Sequence, residues 1–258
     1  MAKYLFQICL LGLFLLTTHL SNAQNKKIII SDDLSNNAEE LKVKMGTAWF
    51  GKIWKFKFGD YEVGKSKLGW TTTNQKSNLL NTKTESNTEN KFSFVLNNKS
   101  SEEAIVNAMI KVEVKELQSF ELFPNFFIGN NEVLSDSQFF SSFISITSNM
   151  DETWVMIMAE TYDIDTGYKN EAFLRNGDRT ISIIPTSSNK NGGDSRTFPA
   201  LGYEFIENNK SLGAMQYFGG GALGYNKNII WLRSDLDERM KLILAAAMTS
   251  VLQFKSPN

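Results

Sequence analysis

Apolar and polar residues alternate along much of this 258-residue chain, which predicts a fold made mainly of strands. In IWKFKF (Ile53–Phe58), aromatic residues alternate with Lys55 and Lys57, as expected of a strand with one buried face. β-branched and aromatic residues predict further strands in the following segments. They are 61–63, 91–96, 109–117, 120–123, 125–129, 138–147, 153–161 and 228–233.

Turn residues divide these strands. Asn176-Gly177-Asp178 predicts a tight hairpin, and Asn208-Asn209 predicts a second one. Proline cannot donate a hydrogen bond to a sheet, so we expect Pro124, Pro185 and Phe198-Pro199 in connections.

Two polar segments lack a strand pattern. Residues 24–45 precede the β region and predict at most a short helix. Residues 71–90 are poor in large apolar residues and rich in Asn, Thr and Ser, so they predict a long, mobile loop.

The C-terminal segment Ser234–Phe254 is the only strong helix prediction after the N-terminal segment, and we place the helix at 235–253. Ser234 is the expected N-cap. Every residue of Leu242–Met248 is apolar, and a helix that is apolar on all sides is buried on all sides. The apolar section is about 11 residues, roughly 16 Å, which is too short to cross a membrane.

These elements predict a mostly β fold, namely an antiparallel β-barrel wrapped around or packed on one buried hydrophobic C-terminal helix. A lipocalin-like barrel and a β-sandwich with a packed helix remain as alternatives. Residues 46–258 show no internal repeat and no linker, so they are expected to form a single domain.

The last strand and helix, IIWLRSDLDERMKLILAAAMTSVLQF (Ile229–Phe254), with Leu236-Asp237 at the junction, resemble the tubby C-terminal-like fold. Tubby, LURP-one-related and phospholipid scramblase proteins share that fold. The resemblance implies a closed antiparallel barrel around a C-terminal helix. It implies no site, because no residues here match the calcium loop, the cysteine cluster or the basic phosphoinositide pocket of those families.

The N-terminus has the form of a secretory signal peptide. Lys3 precedes an apolar run at Tyr4–Leu16, and small residues stand before a predicted cleavage after Ala23. We therefore expect a mature chain that is periplasmic or extracellular and does not span a membrane.

Cleavage would remove Cys9 and His19, the only cysteine and histidine. The mature chain could then form no disulfide, no thiolate or imidazole zinc site and no histidine-based nucleophile or general base. Loss of Lys3 changes the formal net charge from −1 to about −2, which gives no electrostatic reason to expect nucleic acid as a partner.

The glycine-rich stretch FGGGALG (Phe218–Gly224) fits the spacing of a dinucleotide-phosphate loop. Such a loop binds phosphate because it opens directly into a helix N-terminus. Here the following segment is strand-like, so we interpret the stretch as a connection between strands and expect no cofactor.

Two further features are candidate sites. Asp163, Asp165 and Glu171 are a weak calcium candidate, although their spacing around Gly167 departs from the EF-hand pattern. Lys55 and Lys57, beside several aromatics, are a candidate surface for a sugar or a lipid headgroup, although they also fit the solvated face of an ordinary strand.

No catalytic residue can be assigned from the sequence, because carboxylate pairs and Ser-Lys dyads need not be close in sequence. The sequence favours an exported, non-enzymatic domain with a binding or envelope-structural role, and its partner could be an envelope lipid, a glycan or another protein. A lipocalin-like carrier of small apolar ligands and a hydrolase with an unassigned carboxylate pair are the alternatives.

Overall fold

The computed structural model describes residues 27–47, 53–77, 83–99, 102–117, 120–123, 126–128, 132–189, 199–220 and 228–256. Within these ranges, the helices are α1 (Asp32–Asn37) and α2 (Glu238–Lys255). The strands are β1 (Ala38–Lys42), β2 (Lys44–Met45), β3 (Phe56–Phe58), β4 (Tyr61–Leu68), β5 (Thr72–Ser77), β6 (Lys83–Asn97), β7 (Glu103–Leu117), β8 (Phe120–Phe123), β9 (Phe126–Ile128), β10 (Glu132–Ile146), β11 (Asn149–Asp163), β12 (Gly167–Asn176), β13 (Arg179–Ser187), β14 (Leu201–Glu207), β15 (Lys210–Phe218) and β16 (Ile229–Arg233).

Thirteen strands form one antiparallel path in the order β1-β16-β15-β14-β13-β12-β11-β10-β7-β6-β4-β3-β2. The two ends of this path, β1 and β2, are consecutive in the chain and are separated only by Val43. One continuous segment therefore pairs with β16 on one side and β3 on the other, which nearly closes the sheet into a barrel. β5 pairs separately with β6, and β8 pairs with β9.

The predicted fold class is confirmed, and α2 lies inside the barrel. It contacts β7 and β10, and also β15 and β16, which lie far apart in the strand order. From Leu242 to Leu252 each residue is at most 1% exposed, and eleven consecutive residues cover every side of a helix. The surrounding core includes Phe56, Phe140 and Trp154.

The helix begins three residues later than the predicted start at Asp235. Asp237, rather than the predicted Ser234, is the N-cap, and its carboxylate accepts a hydrogen bond of 2.8 Å from the backbone N–H of Met240. Ser234 instead donates its backbone N–H to the carbonyl of Asn37 at 2.8 Å, which ties the turn before α2 to the end of α1.

The prediction of a long loop over residues 71–90 is wrong. Thr72–Ser77 form β5 and Lys83–Asn97 form β6, and the two strands pair from Thr72 opposite Glu89 to Ser77 opposite Thr84. All of β5 is exposed, so no buried face imposes an apolar alternation on it. Backbone hydrogen bonding to β6, rather than side-chain burial, defines this strand.

Both predicted hairpin turns are confirmed. Gly177 has a φ of 53°, and Asn208 and Asn209 have φ values of 50° and 62°, which tight turns of this kind require.

Pro185 is not in a connection as predicted but within β13, opposite Tyr203 of β14. β12 pairs with β13 only through Arg179–Ser182, so the missing N–H of Pro185 faces no strand. Pro124 and Phe198 lie outside the described residues.

The segment before β1 packs on the outside of the barrel. Residues 27–37, here called the N-terminal strap, include the short helix that the sequence allowed and cover the outer side of β14–β16. Ile28 and Leu34 are buried with Ala214 and Trp231 in a second, smaller core. The prediction of at most a short helix over residues 24–45 is wrong for β1 and β2, which belong to the barrel.

The four longest strands, β6, β7, β10 and β11, contain 15 residues each. In β6, β7 and β10 the buried apolar residues lie in only one half of the strand, such as Ala104, Val106 and Ala108 in β7, whereas in β11 they lie around its middle. In the other half of β7 both faces are partly exposed. The sheet therefore continues past the helix-filled core.

Candidate functional site

Lysines dominate the outer side of the strands that close the barrel. We call this surface the lysine face. It consists of Lys42, Lys44, Lys55, Lys57, Lys65 and Lys67, all of which are exposed.

Alternation of side chains builds the lysine face. Leu41 on β1 and Phe56 and Phe58 on β3 point into the core, so the lysines that alternate with them point to solvent. The predicted candidates Lys55 and Lys57 thus lie on the solvated side of a half-buried strand, as the periodicity indicated.

Strand register brings lysines from different strands together. Lys44 of β2 lies directly opposite Lys57 of β3. The carbonyl of Lys55 accepts a hydrogen bond of 2.6 Å from the backbone N–H of Gly46, which continues the same ladder. On β4, Lys67 lies opposite Ser93 of β6, so the lysine face extends toward the exposed half of the sheet.

The lysine face is largely uncompensated. Lys57 forms an ion pair of 2.7 Å with Glu62, and both side chains are more than half exposed, so this pair contributes little stability. Among the residues that the structure describes, the other five lysines have no carboxylate within ion-pair distance. Like charges opposite each other in a sheet are destabilising. Glu62 partly neutralises Lys57, so Lys44 is the member of this pair whose charge a bound anion would offset.

A groove adjoins the end of the lysine face. It has a volume of about 420 Å³ and crosses β6 and β7 on the outer side of the sheet. Lys67 and Lys91 lie at one side, and Phe143 of β10 lies at the other. The groove is lined between them by Ser93, Asn107 and Met109.

Gly69, the residue after β4, lines the groove and packs closely against the backbone of β6. Its backbone N–H donates to the carbonyl of Lys91 at 2.7 Å, and a Cβ at this position would lie 2.9 Å from that oxygen. Only glycine fits such an approach without displacing the backbone of β6. The next residue, Trp70, is 94% exposed.

A second, more polar crevice of about 470 Å³ lies near the N-terminus of α2. Its lysines are already paired, Lys99 with Asp60 and Lys241 with Glu238 at 2.9 Å. Burial, with the nearby charges of Glu238, Asp60 and Glu39, raises the pKa of Tyr61 to about 12. Tyr61 is therefore protonated at neutral pH and can donate a hydrogen bond but cannot act as a base.

The weak calcium candidate residues fall on a turn and its flanking strands. The carboxylate of Asp163 accepts hydrogen bonds from the backbone N–H groups of Asp165 and Thr166 at 3.0 and 3.2 Å. This is the arrangement of a side chain that stabilises its own turn. Glu171 lies on β12, opposite Ala159. In the described part of the chain, no group of three acidic, cysteine or histidine residues could hold a metal.

The residues of the glycine-rich stretch from Gly221 to Gly224 lie outside the described part of the chain. The next described segment leads into strand β16, and α2 starts only at Glu238. Among the described residues after the stretch, no helix begins before Glu238.

Sequence reasoning found two lysines of the lysine face and missed four. Lys42 and Lys44 lie in LKVKM (Leu41–Met45), which alternates in the same way as IWKFKF. That alternation could have predicted a half-buried strand within a segment that is otherwise polar. Lys65 and Lys67 gave a weaker signal, because Gly64 and a register shift between Val63 and Ser66 interrupt the pattern of β4.

No protein-family model, curated protein or solved structure matches this chain. Within the described residues, neither helix is long and apolar enough to cross a membrane.

Proposed function

We propose that this protein is an exported, non-enzymatic binding domain that holds an anionic polymer of the cell envelope against its lysine face. The observation that carries the proposal is the set of six lysines, five of them without a carboxylate partner in the described chain, on neighbouring strands of a closed barrel. A rigid sheet fixes the spacing of such charges, and so they can meet a polymer at several points at once. Export through the predicted signal peptide is part of the proposal.

The composition of the lysine face favours a soluble polyanion over insertion into a lipid bilayer. Surfaces that insert into a membrane combine cations with exposed large apolar side chains. In the described residues, the exposed large apolar side chains include none on β1 to β4. The lysine face itself therefore carries charge without an apolar anchor, and the exposed rings of Trp70 and Phe143 lie beyond it, after the end of β4 and on β10.

The alternative of a carrier for small apolar ligands has less support. A carrier of the lipocalin kind needs space inside its barrel. Here α2 occupies the interior, and Leu244, Ala246 and Met248 are fully buried there. From the resemblance of Ile229–Phe254 alone, we also propose a tubby-like architecture, in which a barrel surrounds the C-terminal helix.

Retention on immobilised alginate, a linear polymer of uronic acids, tests the proposed function. The triple variant K42Q/K44Q/K55Q removes three unpaired charges from the lysine face. K76Q/K115Q/K169Q is the matched control, because it removes three exposed charges elsewhere on the sheet that also have no carboxylate within ion-pair distance in the described part of the chain.

We expect wild-type protein and the control to bind alginate alike, and the lysine-face variant to bind about tenfold more weakly or worse, a loss of about 1.4 kcal/mol or more. Binding should weaken as salt is raised, because exposed charges are screened. Equal losses in both variants, or no binding by wild-type protein, would contradict the proposal. Preferential binding to vesicles of anionic lipid over alginate would favour a membrane surface instead.

A further inference from the structure

We infer that the groove between Lys67 and Phe143 is a saccharide subsite, and that the polymer on the lysine face is an acidic polysaccharide. This inference rests on the proposed function, because it names the chemical class of the same ligand. The groove shares Lys67 with the lysine face, so one chain can pass from the lysines of β1–β3 along β4 into the groove.

Exposed aromatic side chains provide the first support. Trp70 is 94% exposed and directly follows Gly69, which lines the groove, while Phe143 is 48% exposed within it. Tryptophan is enriched at binding interfaces, because its ring combines a large apolar surface with a polar N–H group. An aromatic ring offers a flat apolar face, and the C–H face of a pyranose ring can stack on it.

Strand register places Phe143 among polar groups. Phe143 lies opposite Asn107 of β7, Asn107 lies opposite Ser93 of β6, and Ser93 lies opposite Lys67 of β4. One row across four strands thus presents a ring, an amide, a hydroxyl and an ammonium group on the same side of the sheet. An amide and a hydroxyl can each donate to and accept from sugar hydroxyls.

The cations of the groove favour an acidic sugar. Among the described residues Lys67 has no carboxylate partner, while Lys91 pairs with Glu89 at 2.6 Å. Ammonium–carboxylate hydrogen bonds are stronger than neutral ones, so a uronic acid adds affinity at Lys67 that a neutral sugar lacks.

Most of the groove's lining is apolar, including Met109 and Phe143, and a pyranose ring can contact such a surface through its C–H face while its hydroxyls bond to Ser93 and Asn107. An acyl chain would leave these two polar groups without the hydrogen bonds that they make to water. The volume of about 420 Å³ lies at the lower end of the range for small-ligand pockets, which suits a short stretch of a longer polymer.

Calorimetric titration with trigalacturonate tests the inference, with maltotriose as a neutral trisaccharide control. Trigalacturonate is too short to span the lysine face and the groove together. We expect it to bind the wild-type protein, and maltotriose to bind at least about tenfold more weakly.

We expect W70A and F143A each to lose about tenfold or more of the affinity for trigalacturonate, and W70F to retain most of it. Tyr168 is 81% exposed on β12 and lies outside the groove, so Y168A is the matched control and should change affinity less than about twofold. Thermal melting should show that all four variants remain folded, because these side chains are exposed.

Three results would overturn the inference: no binding of trigalacturonate to wild-type protein, equal affinity in W70A, F143A and Y168A, or a preference for monomeric lysophosphatidylglycerol over the trisaccharide. These outcomes are distinct from failure of the proposed function. If alginate retention depends on the lysine face but trigalacturonate does not bind, only the subsite is wrong. If K42Q/K44Q/K55Q binds alginate as wild-type protein does, the proposed function is wrong.

Discussion

The side-chain amide of Gln253 forms two hydrogen bonds with the backbone of Trp54. Its nitrogen donates to the carbonyl of Trp54 at 2.6 Å, and its oxygen accepts from the N–H of Trp54 at 3.2 Å. Gln253 lies in the last turns of α2, and Trp54 lies just before β3. Gln253 thus forms with the backbone of Trp54 the two hydrogen bonds that a neighbouring strand would form with it in a longer sheet, because β3 begins only at Phe56.

Replacement of Gln253 by alanine should destabilise the protein by about 1–3 kcal/mol, because it removes two hydrogen bonds from the partly buried backbone of Trp54. Urea denaturation measures the change. Glu238→Gln, at the exposed start of the same helix, is the control and should stay within about 0.5 kcal/mol of wild type. A Gln253→Ala variant as stable as the control would mean that the two hydrogen bonds do not hold the barrel to its helix.

Ala246→Asp tests whether the helix fills the barrel. Ala246 is fully buried, and an unpaired carboxylate there costs several kcal/mol, a large fraction of the stability of a typical domain. We expect loss of soluble, folded protein, measured by circular dichroism and thermal melting. Ala246→Gly, which costs only about 1 kcal/mol in a helix, should still fold. If Ala246→Asp melts at the wild-type temperature, residue 246 contacts water and the helix does not fill the barrel.

Alkaline pH should destabilise the protein through Tyr61. Burial raises the pKa of Tyr61 to about 12, above the ordinary value of about 10. The contribution of Tyr61 to the free energy of unfolding is therefore fully present below pH 10 and is lost as the pH rises through 12. Tyrosine absorbance should show a group that titrates near pH 12 and is absent from Tyr61→Phe. A wild-type titration indistinguishable from that of Tyr61→Phe would contradict the burial of this hydroxyl.

Acid should release the N-terminal strap. Arg233, whose side chain is 8% exposed, hydrogen-bonds to Asp33 of the strap and to Asp235. The bond from Arg233 lowers the pKa of Asp33, and hydrogen bonds from Lys210 and then from Arg233 lower the pKa of Asp235. Depressed pKa values contribute stability that is present above the unfolded-state pKa of about 3.9 and is lost as the pH falls through the folded-state values.

Hydrogen exchange of the strap should therefore accelerate below pH 4 relative to α2, after correction for intrinsic exchange rates. Asp33→Asn should show faster strap exchange already at pH 7, since it removes one charge partner of Arg233. Strap protection that does not change in acid or in Asp33→Asn would mean that Ile28 and Leu34 hold the segment without this ion pair.

The parts of the fold that the sequence predicted are those in which burial or turn geometry dictates residue type. The all-apolar Leu242–Met248 predicted the buried helix, and Asn208-Asn209 predicted a hairpin. β5 was missed because every residue from Thr72 to Ser77 is exposed, so polar residues suffice for a strand held by its backbone. Closure of the barrel requires β1 to pair with β16, which lies at the far end of the sequence, and local periodicity carries no information about such pairing.

The candidate site was only partly predictable for the same reason. Lys55 and Lys57 could be identified from their own strand, but the register that places Lys44 opposite Lys57 is a tertiary property. The groove depends on a four-strand row from Lys67 to Phe143, whose members are separated by up to 76 positions in the chain.

The most direct test of the central claim is an amide NMR titration of ¹⁵N-labelled protein with alginate oligosaccharides. We predict that chemical shifts change along β1–β4, at Lys42, Lys44, Lys55 and Lys57, and continue into the groove at Ser93 and Asn107, while amides of β12 such as Lys169 stay unchanged. Shifts confined to the N-terminal strap or the crevice at Tyr61, or no shifts at all, would contradict a binding role for the lysine face.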